Sequence, residues 1–316
     1  MRMPPSDKVV FLNARTCGIY KNGGPRFKTD PATGRRTAQV DDELNEMVDA
    51  YVAGKKRDGI VAIPSKDVRA SRVIVPTYYD RRYEQRIDAL LKELNWDEVT
   101  LGDLIDDGTI MVRGGHGSPG NDQRSGAIPY IKVSDIRGLR VNTNPTNLVA
   151  ASVAQRYWRG TTSGLEAFDL ITPNRASSNI GEFAILLPGE EQVVVTKEVF
   201  ILRVQRDDTV WDAFTLFWAL CLRAVREQWR RVALMQTNRE DCGMRHREIR
   251  LPLPPSAEQA RAASASFRAY FTRVAKAKTE FLDSVSQDHD RFIASVFSSM
   301  PLPTEEEAED APQNGK

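Results

Sequence analysis

Between residues 109 and 204 the apolar side chains come in short runs, each bounded by glycine, proline, asparagine or serine. The runs fall at 110–112, 128–133, 148–153, 170–172, 183–187, 192–196 and 199–204. Short apolar runs between turn formers read as strands, and so many of them in sequence predict a compact, mostly β unit. The stretch from Gly126 to Ile136 is representative: Ile128, Val133 and Ile136, with Tyr130 less strictly, sit among Lys132, Ser134 and Asp135. It reads as a strand that ends in a polar corner.

Helices are expected on both sides of this unit. Residues 83–94 carry Ile87, Leu90, Leu91 and Leu94 at helical spacing, and 211–235 carry a stripe of Trp211, Phe214, Trp218, Cys221, Leu222, Val225, Trp229 and Val232. Arg223, Arg226, Arg230 and Arg231 lie off that stripe, where a solvated face is the default and phosphate contact the alternative. Ser256 followed by Gln259 has the form of a capping box opening a helix over 256–297. A helix of ~40 residues spans about 60 Å, and an apolar stripe that long needs a partner helix. Near the N-terminus, 8–12 reads as a strand and 43–53 as a helix capped by Asp41 or Asp42, with loop-rich chain between them. Residues 73–75 are strand-like. The fold class is therefore α+β: a mostly β unit with flanking helices and a long C-terminal helix of coiled-coil type. The expected divisions are 1–86, 87–250, 251–300 and an acidic, disordered tail over 301–316.

Several function classes are excluded by composition. Three cysteines, Cys17, Cys221 and Cys242, and three histidines, at 116, 246 and 289, form no zinc-binding spacing. No cofactor or metal is expected in this chain. The N-terminus lacks the apolar segment of a secretory signal, and no run approaches the ~20 residues that span a bilayer. A cytoplasmic protein without membrane partners is the expectation. With a net charge of +1, any nucleic-acid surface must come from local clustering.

Such clustering is present in two loops rich in Arg, Asn, Gln, Ser and Gly, at 113–124 and 172–179. Arginine pairs with guanine and Asn or Gln with adenine, each worth ~1–3 kcal/mol of discrimination. Asn121, Gln123 and Arg124 in the first loop, and Asn174, Arg175, Ser177, Ser178 and Asn179 in the second, fit that chemistry. Arg113, Lys132, Arg137 and Arg140 fit phosphate anchoring. His116 among its glycines is within reach of the same ligand, and Gln236, Asn238 and Arg239 form a third patch. Asn and Ser also fill turns, so about half of these positions are expected to be turn formers. Residues 55–86 mix Lys55, Lys56, Arg57, Arg69, Arg72, Arg81, Arg82 and Arg86 with Tyr78, Tyr79 and Tyr83. That pattern suits a nucleic-acid backbone and suits a solvated linker equally well.

Two catalytic readings compete. A metal-dependent nuclease needs carboxylates converging with a lysine, and Asp169, Glu182 and Glu198 with Lys197 are the set at hand. Cys242 and His246, four residues apart, have the spacing of a thiol–imidazole pair without a marked orienting group.

Ile128-Pro-Tyr-Ile-Lys-Val-Ser-Asp-Ile136 resembles the signature of the target-recognition domain in specificity subunits of type I restriction–modification systems. The resemblance continues through Phe168-Asp-Leu-Ile-Thr-Pro-Asn174, Asn179-Ile-Gly-Glu-Phe-Ala-Ile-Leu-Leu-Pro188 and Leu251-Pro-Leu-Pro-Pro-Ser-Ala-Glu-Gln259, covering roughly residues 94 to 289. It implies a non-catalytic subunit that reads double-stranded DNA, with the long helix setting the distance between half-sites. Val10-Phe-Leu-Asn-Ala14, Cys17-Gly-Ile-Tyr-Lys-Asn-Gly-Gly24 and Asp41-Asp-Glu-Leu44 resemble the C-terminal edge of adenine-specific DNA methyltransferases. The Asn/Asp-Pro-Pro-aromatic motif and the glycine-rich cofactor loop of those enzymes do not occur. The resemblance thus implies a separate methyltransferase subunit that holds S-adenosylmethionine, in restriction–modification or a related phage defence. One recognition domain with one helix implies a half-subunit, working singly or paired with a second copy. An assembly adaptor whose helix matters more than its loops is the non-reading alternative.

Overall fold

The computed structural model describes residues 7–20, 22–120, 123–144, 146–159, 164–206, 210–234 and 241–286. It divides into two compact units, residues 1–86 and 87–316.

The first unit contains β1 (Lys8–Leu12), β2 (Phe27–Thr29), β3 (Arg36–Val40), α1 (Glu43–Val52), β4 (Ile60–Pro64) and α2 (Ser65–Ser71). β1 pairs antiparallel with β4, and β2 with β3. The β2–β3 hairpin falls where only loop was expected, because Lys28, Thr29 and Arg36 give it no apolar run. Asp42 caps α1 by accepting from the amides of Leu44 and Asn45. Residues 73–75 are not a strand; they lead into a 3-10 turn at Pro76–Tyr79. Few apolar side chains are buried here, chiefly Phe11, Met47, Val68 and Val73. Phe11 stacks on Tyr79 at 4.4 Å, and a polar knot supplements this small core. Arg82 binds Asp80 at 2.8 Å and Glu43 at 2.6 Å, while Asn13 Nδ2 donates to Asp80 at 2.6 Å. Arg82 and Tyr79 are therefore structural groups of this unit.

α3 (Gln85–Leu94) runs through the boundary. The second unit continues with β5 (Asp97–Thr100), α4 (Leu101–Asp106), β6 (Ile110–Gly114), β7 (Ile128–Ile131), β8 (Ile136–Arg137), β9 (Arg140–Val141) and β10 (Leu148–Val149). Then follow α5 (Ala151–Arg159), β11 (Leu170–Pro173), β12 (Ala184–Ile185), β13 (Val194–Val195) and β14 (Val199–Val204). The last elements are α6 (Ala213–Cys221), α7 (Arg223–Val232), β15 (Arg250–Leu253), α8 (Ala257–Ala263) and α9 (Ala265–Ser286).

Its centre is an antiparallel sheet in the order β12-β11-β14-β6. Side chains on neighbouring positions of a strand point to opposite faces, and both faces are covered. Leu170, Leu202, Ile110 and Ile185 join Trp211, Phe217, Trp229 and Phe271 of the helical layer in one core. Ile171, Ile201, Ala184 and Val199 join Ile131, Val194 and Tyr157 in a second core. That second core is closed by the sheet β10-β7-β13, in which β13 runs parallel to β7, and by α5. The α+β class is as expected.

Three expected elements differ. The strand over 148–153 stops at Val149, and α5 begins at Ala151, burying Val153, Ala154 and Tyr157 along one side. The helix expected over 211–235 is two helices, broken at Leu222, whose ψ of 134° is extended. The C-terminal helix is likewise interrupted at Ser264, between α8 and α9. Phe267, Phe271, Val274 and Ala275 of α9 pack on the unit's own core, and Lys278 meets Glu190 at 3.0 Å. This part of the stripe is buried without a second helix, whereas Tyr270 and Phe281 are exposed. Phe292, Ile293, Val296 and the acidic tail lie outside the described residues. Among the described residues, no helix is long and apolar enough to cross a membrane.

Candidate nucleic-acid interface

The sequence candidates separate into those with side chains at the surface and those that hold the second unit together. Arg113 belongs to the latter. Its guanidinium is buried on β6, donates to Gly164 O and lies 3.6 Å from Asp169. Burial, with Arg203 alongside, holds its pKa below the usual arginine value. It is not a phosphate anchor, since the charge is neither exposed nor unpaired. Asn174 is 5% exposed; its Nδ2 donates to Lys197 O at 2.8 Å and its backbone carbonyl accepts from the Cys242 amide at 2.6 Å. Asn179 is 2% exposed, with Nδ2 donating to Val133 O at 2.7 Å. These two asparagines bond the backbone and cannot read a base from where they stand. Gln123 is a turn former, its Oε1 accepting from the Gly120 amide at 3.3 Å. His116 packs against Tyr157 with ring centres 5.9 Å apart, and its amide donates to Val195 O at 2.7 Å. Asn121, Gln236, Asn238 and Arg239 lie outside the described residues.

Arg124 and Lys132 reach the surface together, at the mouth of a cleft of about 300 Å³ walled also by Ser118, Asn147, Thr196 and Glu198. Tyr130 of β7 contributes the inner wall. Lys132 Nζ donates to Asn147 Oδ1 at 2.6 Å, and Arg124 Nε to Pro119 O at 3.3 Å. Two glycines let the chain close around this space. A Cβ on Gly115 would come within 2.2 Å of Thr196 O, and one on Gly126, at φ +152°, within 2.2 Å of Val149 O. Only glycine permits both approaches.

A second, more open groove of about 710 Å³ runs between the 172–179 loop and α7. Ser177 and Ser178 line one side, and Arg223, Arg226 and Arg230 the other. The three arginines sit at i, i+3 and i+7, hence on one face of α7, opposite the buried Val225, Trp229 and Val232. Glu182 holds Arg226 at 2.7 Å and reaches Arg137 of β8 at 3.8 Å. Arg175 turns away from this groove to Glu198 at 2.6 Å and Asp241 at 2.8 Å. Arg140, the other anchoring candidate, meets Glu190 at 2.7 Å. The sequence placed Arg223, Arg226 and Arg230 off the apolar stripe without assigning them; Thr146 and Asn147 gave no signal, since Asn142, Asn144 and Asn147 around Pro145 read as a turn.

The acidic set of the nuclease reading does not converge. Asp169 is buried and takes two hydrogen bonds from Arg203, at 2.6 and 2.7 Å. Glu182 is bound to Arg226 and Glu198 to Arg175. Among the described residues, no three His, Cys, Asp or Glu side chains are placed to hold a metal ion. The Cys242–His246 pair fails for a different reason: burial pushes the thiol pKa up to about 12. His246 is itself buried, with Nδ1 against Gly243 O at 2.5 Å and its ring on Phe200.

Solved structures that align with this chain include type I restriction–modification proteins and a type IIG restriction endonuclease. The S subunit from M. genitalium aligns at 13% identity and a TM-score of 0.35, covering 71% of this chain and 53% of that one. The HsdS subunit from Thermoanaerobacter tengcongensis aligns at 15% and 0.36, covering 85% and 65%. The type IIG restriction endonuclease BpuSI aligns at 9% and 0.42, covering 66% and 30%. The chain thus spans between about half and two thirds of the length of those S subunits. No family model matches the sequence, and no curated protein matches it.

Proposed function

We propose that the chain is a DNA-sequence specificity subunit that directs a separate S-adenosylmethionine-dependent adenine DNA methyltransferase to its target. The observation that carries this reading is the pair of polar, cationic concavities on the second unit. One has Arg124 and Lys132 at its mouth, the other a face of Arg223, Arg226 and Arg230. Exposed guanidinium and ammonium groups position a protein on phosphates, while polar side chains set between them reach base edges. The sequence resemblance to specificity subunits supports the same assignment. Methyl transfer then belongs to the partner, which requires the target base to leave the duplex stack. A second copy of the chain is a further proposed partner, through the exposed Tyr270 and Phe281 side of α9.

The test is selection from a pool of random DNA duplexes with the full chain, alone and mixed with a methyltransferase that co-purifies with it. The expected result is one enriched nucleotide word, methylated only when both proteins are present. Equal, weak affinity for every duplex under both conditions overturns the proposal.

A further inference from the structure

Tyr130 lies beneath the Arg124–Lys132 mouth, 6% exposed, and its hydroxyl has no hydrogen bond of ordinary geometry. Burial raises its pKa, so the phenol stays neutral and able to donate or accept; the Thr196 and Ser118 hydroxyls stand near it without closing such a bond. An unsatisfied buried hydroxyl is a cost to the fold. The strand has no need of it, because the ring alone packs in the second core. Around it the wall is rich in acceptors. Glu198 offers a carboxylate of which Arg175 binds Oε1, and Asn147 an amide oxygen of which Lys132 uses one site. The cleft thus joins the cations Arg124 and Lys132 to acceptors on Glu198 and Asn147 and to the hydroxyls of Tyr130 and Thr196.

We infer that this cleft is the chain's base-reading site and that it takes a base whose major-groove edge presents an exocyclic amino group, adenine or cytosine. The amino group donates to Glu198 and Asn147, the Tyr130 hydroxyl donates to N7 where the base is adenine, and Arg124 and Lys132 hold the flanking phosphates. Guanine or thymine would set a carbonyl oxygen against the Glu198 carboxylate, a repulsion that excludes it. The inference rests on the proposed DNA-reading function and names which base class one position of the word requires.

The experiment repeats the random-duplex selection with full-length Tyr130→Phe and Glu198→Gln proteins beside the unsubstituted chain, with thermal unfolding of each. The expected outcome is an A or C position in the word whose preference falls about tenfold in both variants. In Tyr130→Phe the other positions and the affinity for an unselected duplex stay unchanged, whereas Glu198→Gln, which removes a negative charge, raises that affinity without altering the other positions. Tyr130→Phe retains or raises the melting temperature, since it deletes an unsatisfied group, and so remains informative if Glu198→Gln unfolds by releasing Arg175. Identical words from Tyr130→Phe and the unsubstituted chain overturn the pocket while leaving the function standing, as does a tenfold loss at a G or T position. An unsubstituted chain that enriches no word overturns both.

Discussion

Asn179 Nδ2 donates to the carbonyl of Val133 across 46 residues of sequence, at 2.7 Å. This bond ties the 172–179 loop to the corner that follows β7, so the loop beside the α7 groove and the strand that carries the Tyr130 cleft are fixed to one another. Asn179→Ala removes this side-chain bond, while the Ile136 amide still donates to the Val133 carbonyl, at a cost of about 0.5–1.5 kcal/mol. Urea denaturation is expected to show that loss. Duplex affinity measured well below the transition is expected to change little, because the amide never faces solvent.

The α7 groove makes the opposite prediction. Arg226 and Arg230 are exposed on the helix surface and contribute nothing to the core. Arg226→Ala plus Arg230→Ala is expected to leave the melting temperature within about 2 °C of the parent, since surface changes shift stability by about 0.5 kcal/mol or less. Duplex affinity falls for every sequence alike, and the slope of log K against log salt drops by about 1 for each phosphate contact removed. A double variant with an unaltered slope would show that the groove faces something other than a phosphate chain.

The first unit carries a pH dependence that originates in Asp80. Burial opposes ionisation of this carboxylate, but hydrogen bonds from Arg82 and Asn13 outweigh it, so the folded pKa lies below the ordinary value of 3.8. A depressed folded pKa stabilises fully above the unfolded value and is lost as the pH falls through the folded one. The first unit is therefore expected to hold its stability from neutrality down to about pH 4 and to weaken below it. Asp80→Asn is expected to flatten that acid limb, read by the fluorescence of Tyr78 and Tyr79 or by limited proteolysis between residues 7 and 86.

Much of the second unit's sheet was legible because a strand buried on both faces must be apolar along its length. Leu170, Ile171, Ile201 and Leu202 announce themselves in this way. The α5 helix was not legible, since Leu148, Val149 and Val153 read as one apolar run and nothing local marks the turn at Ala150. The same limit governed the candidate site. An Asn that bonds a distant carbonyl and an Asn left at the surface have the same sequence context, and only burial separates Asn174 and Asn179 from Asn147. Arg113 and Arg124 differ likewise: the first lies on β6 beside Asp169, 56 residues away in sequence, and the second in the loop before β7. Arginines 223, 226 and 230 were visible as a helical face, but their relation to Ser177 and Ser178 is a product of tertiary packing.

Asp169 decides between recognition and cleavage. If it were a metal ligand, Asp169→Ala would abolish nicking of plasmid in magnesium and leave the fold intact. Its surroundings assign it a structural role instead. It neutralises Arg203 through two hydrogen bonds and stands 3.6 Å from Arg113, with all three side chains at least four-fifths buried. Removing the carboxylate leaves the Arg113 and Arg203 guanidinium groups with only the Glu166 carboxylate and the Gly164 carbonyl between them, and loss of one member of a buried pair costs about 3–5 kcal/mol. Asp169→Ala is therefore expected to lower the urea midpoint sharply. Arg203→Met with Asp169→Leu, which removes both charges together, is expected to recover part of that loss. A soluble Asp169→Ala protein with an unchanged midpoint and a lost nicking activity would return the nuclease reading to first place.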